Sequence, residues 1–236
     1  HTRKNRLKVF AYKPAPIQAT YLGYPGSTGL SEMDYWISDH FLHPKDTKEL
    51  SSETIYRLDR CYLAYSSTLT PNIVDKPASS PLTIGVINHI GKHSQAFIKT
   101  WAEILDRAPD ADLLVKSVEF HNADLRLKVL SRLESEGIDR SRVTLAGGTY
   151  NHFKHMEFYN SIDLCLDPFP YTGGTSTADA LLMGTPVITL EGSTLKERLC
   201  ANMLNTINRP EWICHSTEDY IEKALEIISQ PFDSAQ

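Results

Sequence analysis

From Leu82 onward, short β-rich runs alternate with helical patterns, and this alternation constrains the fold more than any other feature of the chain. The runs LTIGVIN, DLLVKS, RVTLAG, DLCLDPF and PVITL are separated by SQAFIKTWAEILDRA, ADLRLKVLSRLESEG, HFKHMEFYNSI and TSTADALLMG, and TLKERLCANMLNTI follows the last of them. Successive parallel strands need a crossover that a helix supplies, so the pattern predicts an α/β domain with a doubly wound parallel sheet from about residue 82 to 215. The apolar positions agree: Ala102, Leu105 and Ala108 recur at helical spacing, whereas ITL and DLCL read as buried strand. Such domains bind ligands at the carboxyl ends of their strands, which directs the search to the loops leaving them.

Residues 1–78 read differently. Pro14, Pro16, Pro25 and Pro44 break the chain, and IQATYLG and MDYWISD are the expected strands of a piece too small to be a complete domain. The Pro- and Ser-rich stretch SSTLTPNIVDKPASSP reads as a linker into the second unit, residues 79–236. The chain begins at His1 with no Met, which suggests a lost N-terminus.

Charge and cysteine usage exclude several classes. A net charge of -5 with no basic run argues against nucleic acid as a partner, because phosphate backbones select clustered Lys and Arg. Cys61, Cys165, Cys200 and Cys214 are widely spaced with no C-x-x-C pair, so free thiols in a reducing cytoplasm are expected. No apolar run approaches the ~18 residues of a membrane span, so no membrane partner is expected.

Three stretches carry candidate chemistry. In NHIGKHS, Lys92 falls at a strand-to-helix turn, where backbone amides and a helix dipole favour an anion and an ammonium could neutralise a departing diphosphate. The plain alternative is a solvated Lys. In DPFPYTGGTSTADALLMG, Gly173 and Gly174 let a backbone approach a phosphate, Thr175 and Ser176 offer hydroxyls, and Asp179 lies about one turn inside, within reach of ribose hydroxyls. Ser176 and Asp179 also fit a capping box of the S-x-x-D kind. In TYNHFKHMEF, His152 and His155 at i and i+3 could stack a flat ring on a nucleobase, and surface histidines are the alternative. No Cys, Asp or Glu completes a metal set there, and the charge of Lys92 disfavours a cation between His89 and His93, so no metal site is expected.

The order and wording of these stretches resemble one family. KPAPIQATYLGYPGSTGLSEMDYWISD, INHIGKHSQAFIKTWAEILDRAPDADL, HFKHMEFYNSIDLCLDPFPYTGGTSTADALLMGTPVITLEGSTLKERL and the RPEW turn resemble, in order, segments of O-GlcNAc transferase and SPINDLY proteins over most of residues 1–228. The resemblance implies the Rossmann-like C-terminal domain of a glycosyltransferase-B fold, preceded by the tail of the N-terminal catalytic domain. It implies inverting transfer, without an obligatory metal or other cofactor, of a sugar from a nucleotide-sugar donor to Ser or Thr of a protein acceptor. Lys92 then matches the lysine on the donor diphosphate and His155 the histidine stacked on the base. Thr175 and Ser176 match the hydroxyls at the phosphates, Asp179 the ribose carboxylate, and Gly23 a backbone contact near the sugar. Tyr150 and His152 fall in the base-contacting loop, and His89 and Gly174 complete the expected donor set.

The sequence also departs from that pattern. Gly174 and Phe158 stand where animal O-GlcNAc transferases carry a histidine and an arginine facing the donor, and Arg3 replaces a lysine. The resemblance makes UDP-GlcNAc the expected donor, while these departures loosen the selection of uracil and keep GDP-fucose the neighbouring possibility, with a non-catalytic nucleotide-binding or scaffold module a third. The first Rossmann half and the tetratricopeptide repeats that the family carries upstream are missing, so this piece is not expected to turn over donor alone.

Overall fold

The computed structural model describes residues 4–66, 72–77, 79–149 and 151–229. Its larger sheet contains β4 (Leu82–Ile87), β5 (Ala111–Lys116), β6 (Val143–Ala146), β7 (Leu164–Leu166), β8 (Val187–Leu190) and β9 (Ile213–Cys214). All neighbours are parallel, in the order β6-β5-β4-β7-β8-β9. The chain thus enters at the centre, winds to one edge, returns and winds to the other. The reversal falls between β4 and β7, where Ile84 pairs with Leu164 and Gly85 with Cys165. A crevice opens at such a switch point because the loops leaving the two strands diverge to opposite faces.

Alternation along the strands builds a core on each face. Ile84, Val86, Leu113, Val115, Leu164 and Ile188 pack with Phe97, Trp101, Ile104 and Leu105 of α2 (Gln95–Arg107) and with Tyr220, Ile221 and Ala224 of α7 (Thr217–Ser229). Leu133 of α3 (Ala123–Ser135) joins that face. The intervening Ile87, Leu114, Cys165 and Val187 turn the other way, onto Met156 of α4 (His152–Glu157), Ala180 of α5 (Thr175–Leu182) and Leu204 of α6 (Leu195–Thr206). Helix α2 forms because its apolar residues recur at helical spacing and Ser94 caps it, its Oγ accepting the Phe97 amide at 3.1 Å. Trp101 is 1% exposed, so Trp101→Ala would cost about 3–5 kcal/mol.

The N-terminal piece begins with a short helix, α1 (Leu7–Phe10), and holds a parallel sheet of β1 (Ala19–Thr20), β2 (Tyr35–Asp39) and β3 (Thr54–Leu58). The strand expected in IQATYLG shrinks to two residues, and β3 and β9 were not foreseen. The piece docks on α6: Trp36, Leu42 and Tyr62 pack on Leu195, the Asp39 carboxylate accepts from Asn202 at 2.6 Å, and Glu49 accepts the Leu195 amide at 2.6 Å. The expected linker is tied down in its described part. Asn160 bonds the backbone of Asn72 and Val74, and Lys76 pairs with Asp163 at 2.5 Å. Cys61, Cys165, Cys200 and Cys214 are free, and among the described residues no helix is long and apolar enough to cross a membrane.

Candidate functional site

A cleft of about 630 Å³ lies at the switch point, over the carboxyl ends of β4, β5 and β6 and the start of α5. It brings together His89 and Lys92 after β4, His152 and His155 on α4, and Gly174, Thr175 and Ser176 at α5. Residues far apart in sequence meet here because parallel crossovers deliver every loop to the same edge of the sheet.

Lys92 is held more tightly than a solvated lysine. Its ammonium donates to the Thr172 carbonyl at 2.7 Å and stands 4.1 Å over the Tyr171 ring. Burial pushes its pKa down while the charge of Asp167 pulls it back up. The turn itself differs from expectation. Residues Ile90–Lys92 form a 3-10 turn ahead of α2, His89 Nδ1 accepts the Gly91 amide at 2.9 Å, and the Lys92 amide donates to the His89 carbonyl at 2.9 Å. The Ile90 amide donates to Ser117 Oγ at 3.2 Å, so the amides of this turn are all spent on protein acceptors, Lys92 brings charge, and the α5 terminus is the place for amide donors.

Helix α5 starts at Gly174, which has no side chain with which to cap it. The Thr177 amide donates to the Gly174 carbonyl at 3.0 Å, and the amides of Thr175 and Ser176 stand ahead of it at the positive end of the helix dipole. The hydroxyls of Thr175 and Ser176 stand beside them in the cleft lining, and Ser176 Oγ donates to Asn88 Oδ1 at 3.0 Å. Ser176 is already inside the helix, so the S-x-x-D capping box does not form. Asp179 is 3% exposed and stands behind the residues that line the cleft. Its Oδ1 accepts from the Tyr65 hydroxyl at 2.6 Å, and its Oδ2 lies 3.5 Å from His155 Nε2.

The entry into α5 is set from below by Asp167, directly after β7. Its carboxylate accepts the Gly173 amide at 2.7 Å, the Thr189 hydroxyl at 2.8 Å and the Thr177 hydroxyl at 3.4 Å. Burial pushes its pKa up to about 6, against those hydrogen bonds and the charge of Lys92. Gly173 is required here because a Cβ would lie 2.5 Å from Asp167 Oδ1.

At the other end of the cleft, His155 Nδ1 is 2.8 Å from the ammonium of Lys116, and the ring lies 5.9 Å from that of His152 at an interplanar angle of 25°. His89 faces Glu119, with Nε2 2.5 Å from Oε1. Gly23 does not reach the cleft lining: its amide turns back onto the Tyr21 carbonyl at 2.7 Å, around Leu22 at φ 60. Tyr150 and Arg3 lie outside the described residues.

Lys116, Asp167, Asn88 and Tyr65 escaped the sequence reading. A signal existed for two of them, since LLVK and LCLD each end an apolar strand with a charge at the edge where ligands bind. Nothing local marks Tyr65, which meets Asp179 across 114 residues.

A doubly wound domain whose switch point gathers an ammonium, a helix N-terminus and two histidines is of the α/β class, and its topology is that of the C-terminal domain of a glycosyltransferase-B fold. The chain belongs to glycosyltransferase family 41, whose sequence profile matches residues 1–73 and 82–231. It is 34% identical over 232 residues to a probable UDP-N-acetylglucosamine--peptide N-acetylglucosaminyltransferase SPINDLY of Solanum lycopersicum, covering 97% of this chain and 25% of that protein. Over 240 residues it is 28% identical to the protein named SEC of Arabidopsis thaliana, a probable enzyme of the same description, covering 96% of this chain and 24% of that one. Among solved structures it is similar to a mutant O-GlcNAc transferase of Thermobaculum terrenum, with a TM-score of 0.88, 31% identity, and coverage of 95% of this chain and 43% of that one. The chain thus spans about a quarter of the length of these curated relatives.

Proposed function

We propose that this chain is the nucleotide-sugar-binding half of an inverting, metal-independent glycosyltransferase that moves a sugar, GlcNAc from UDP-GlcNAc in the first reading, to Ser or Thr of a protein acceptor. One observation carries the reading: Lys92 and the uncapped start of α5 share one cleft with the His152 and His155 rings. A diphosphate laid on Thr175 and Ser176 would meet amides, hydroxyls and an ammonium, and the base would reach the histidines. Negative charge grows on the diphosphate as the glycosidic bond breaks. Fixed donors that meet that charge lower the barrier without reorganising, the part a divalent cation plays in other enzymes. The acceptor side belongs to the upstream half, and the partly apolar sheet β1–β3 is its remnant.

A GDP-fucose donor is the second reading. Phe158 and Gly174 stand where animal O-GlcNAc transferases carry donor-facing arginine and histidine, and a Cβ on Gly174 would meet nothing within 4 Å. Calorimetry of UDP and GDP with the chain joined to its upstream half, followed by turnover of the matching nucleotide sugar, tests both. Binding of neither nucleotide would remove the proposal, and binding without turnover by the joined protein would leave a nucleotide-binding scaffold.

A further inference from the structure

Lys116 ends β5, in register with Ile87 of β4 on one side and Ala146 of β6 on the other, and forms part of the cleft floor. It is 3% exposed. A buried ammonium is costly unless its donors find acceptors, and lysines so buried are normally paired with a carboxylate. Among the described residues this one has none: its ammonium meets His155 Nδ1 at 2.8 Å, Thr149 Oγ1 at a long 3.4 Å and the face of the Phe158 ring at 3.7 Å. Burial alone pushes its pKa down to about 8, with no neighbouring charge raising it back. An ammonium has three donors and no acceptor. The His155 bond also fixes that ring: Nδ1 accepts from Lys116, so the proton of the neutral ring sits on Nε2, toward Asp179 Oδ2 at 3.5 Å.

The layout of the cleft says which part of a ligand Lys116 meets. The phosphate donors, Lys92 and the start of α5, flank the switch point between β4 and β7. Lys116 lies on the far side of β4, toward β6, with Thr149, His152 and His155 around it. A nucleotide with its diphosphate on α5 carries its base over β5, onto these rings.

Resting on the nucleotide-sugar reading above, we propose that Lys116 is a specificity-determining residue that reads the nucleobase by donating to a ring carbonyl oxygen. The oxygen it reads is O4 of uracil or O6 of guanine, and the cleft disfavours cytosine and adenine, which carry an amino group at that position that would set donor against donor and leave the ammonium unpartnered. A site built to hydrogen-bond one group rejects an analogue lacking it, because its own buried polar group is stranded.

The test is calorimetric titration of UDP, GDP, CDP, ADP and inorganic pyrophosphate into the chain and into its Lys116→Met and Lys116→Gln variants, with thermal melts to match folding. The chain is expected to bind UDP or GDP at least tenfold more tightly than CDP and ADP. Lys116→Met is expected to lose at least tenfold on the preferred nucleotide, with pyrophosphate changed less than twofold. Lys116→Gln, whose amide both donates and accepts, is expected to level the four nucleotides, and it carries the test if the Met variant does not fold. A preference order unchanged in both variants overturns the proposal, as does equal weakening of all four nucleotides and pyrophosphate, which would make Lys116 a phosphate contact. Absence of saturable binding by any nucleotide to the unsubstituted chain overturns it together with the reading beneath it. Loss of pyrophosphate binding in Lys92→Ala with base preference intact in Lys116→Met would sink this inference alone.

Discussion

The carboxylate of Asp167 holds the amide of Gly173 at 2.7 Å, beneath the first turn of α5. Through that bond a buried carboxylate behind the cleft lining sets the angle at which the α5 amides meet the cleft. The same carboxylate is the largest charge pulling the pKa of Lys92 back up. One residue thus tunes both proposed phosphate donors.

Gly173→Ala is expected to disturb this arrangement most directly. Its Cβ would sit 2.5 Å from Asp167 Oδ1, so carboxylate or backbone must shift. Overpacking of this kind costs about 1–3 kcal/mol. Nucleoside diphosphate affinity should fall at least tenfold, measured by calorimetry on folded protein; affinity within twofold would show that the turn does not position the α5 amides.

Lys92→Ala in the protein joined to its upstream half should reduce turnover on the order of 10²–10³, as loss of one preorganised charge does elsewhere. Stability should change by about 1 kcal/mol, since the lysine contributes one hydrogen bond, to the Thr172 carbonyl, and a ring contact. Single-turnover kinetics at saturating donor, beside thermal melts, separate the two effects. Turnover within threefold of the parent would take Lys92 out of the proposed mechanism.

The titration of Asp167 gives a signed pH effect. Its folded pKa of about 6 lies above the ordinary carboxylate value of 3.8, so the folded state binds more protons between those values, and this group's contribution to stability falls as pH rises through that window. Asp167→Asn removes the effect. The melting temperature of the Asn variant minus that of the parent should therefore rise from pH 4 to pH 6.5; a flat difference would mean the carboxylate titrates as in the unfolded chain.

Lys116 predicts the opposite slope at alkaline pH. With a folded pKa of about 8 against the ordinary lysine value of 10.5, the unfolded state binds more protons between them, so this group's contribution to stability rises with pH across that window. Nucleotide affinity should move the other way, declining above about pH 8 as the free protein loses the ammonium. Lys116→Arg, which stays charged, should abolish that decline. An unchanged pH profile in the Arg variant would assign the titration to another group.

The sequence by itself determined the parallel sheet, its flanking helices and the loops that carry chemistry, because these follow from local periodicity: the strand runs from LTIGVIN to PVITL are short and apolar, and Ser94 caps a helical pattern. It also marked Lys92, His155, Thr175 and Ser176, which one cleft brings together. Strands β3 and β9 escaped because TIYRL and IC gain their order from neighbouring strands and lack a clear period of their own. Tertiary structure alone decided which groups face the cleft and which face away. Asp179 lies in the motif but pairs with Tyr65, 114 residues distant, while from the ends of two apolar strands Lys116 enters the cleft and Asp167 supports α5 from below. The physical reason is that crossovers, not spacing, set which strand ends are adjacent, and a buried charge takes its role from the partners that desolvate it.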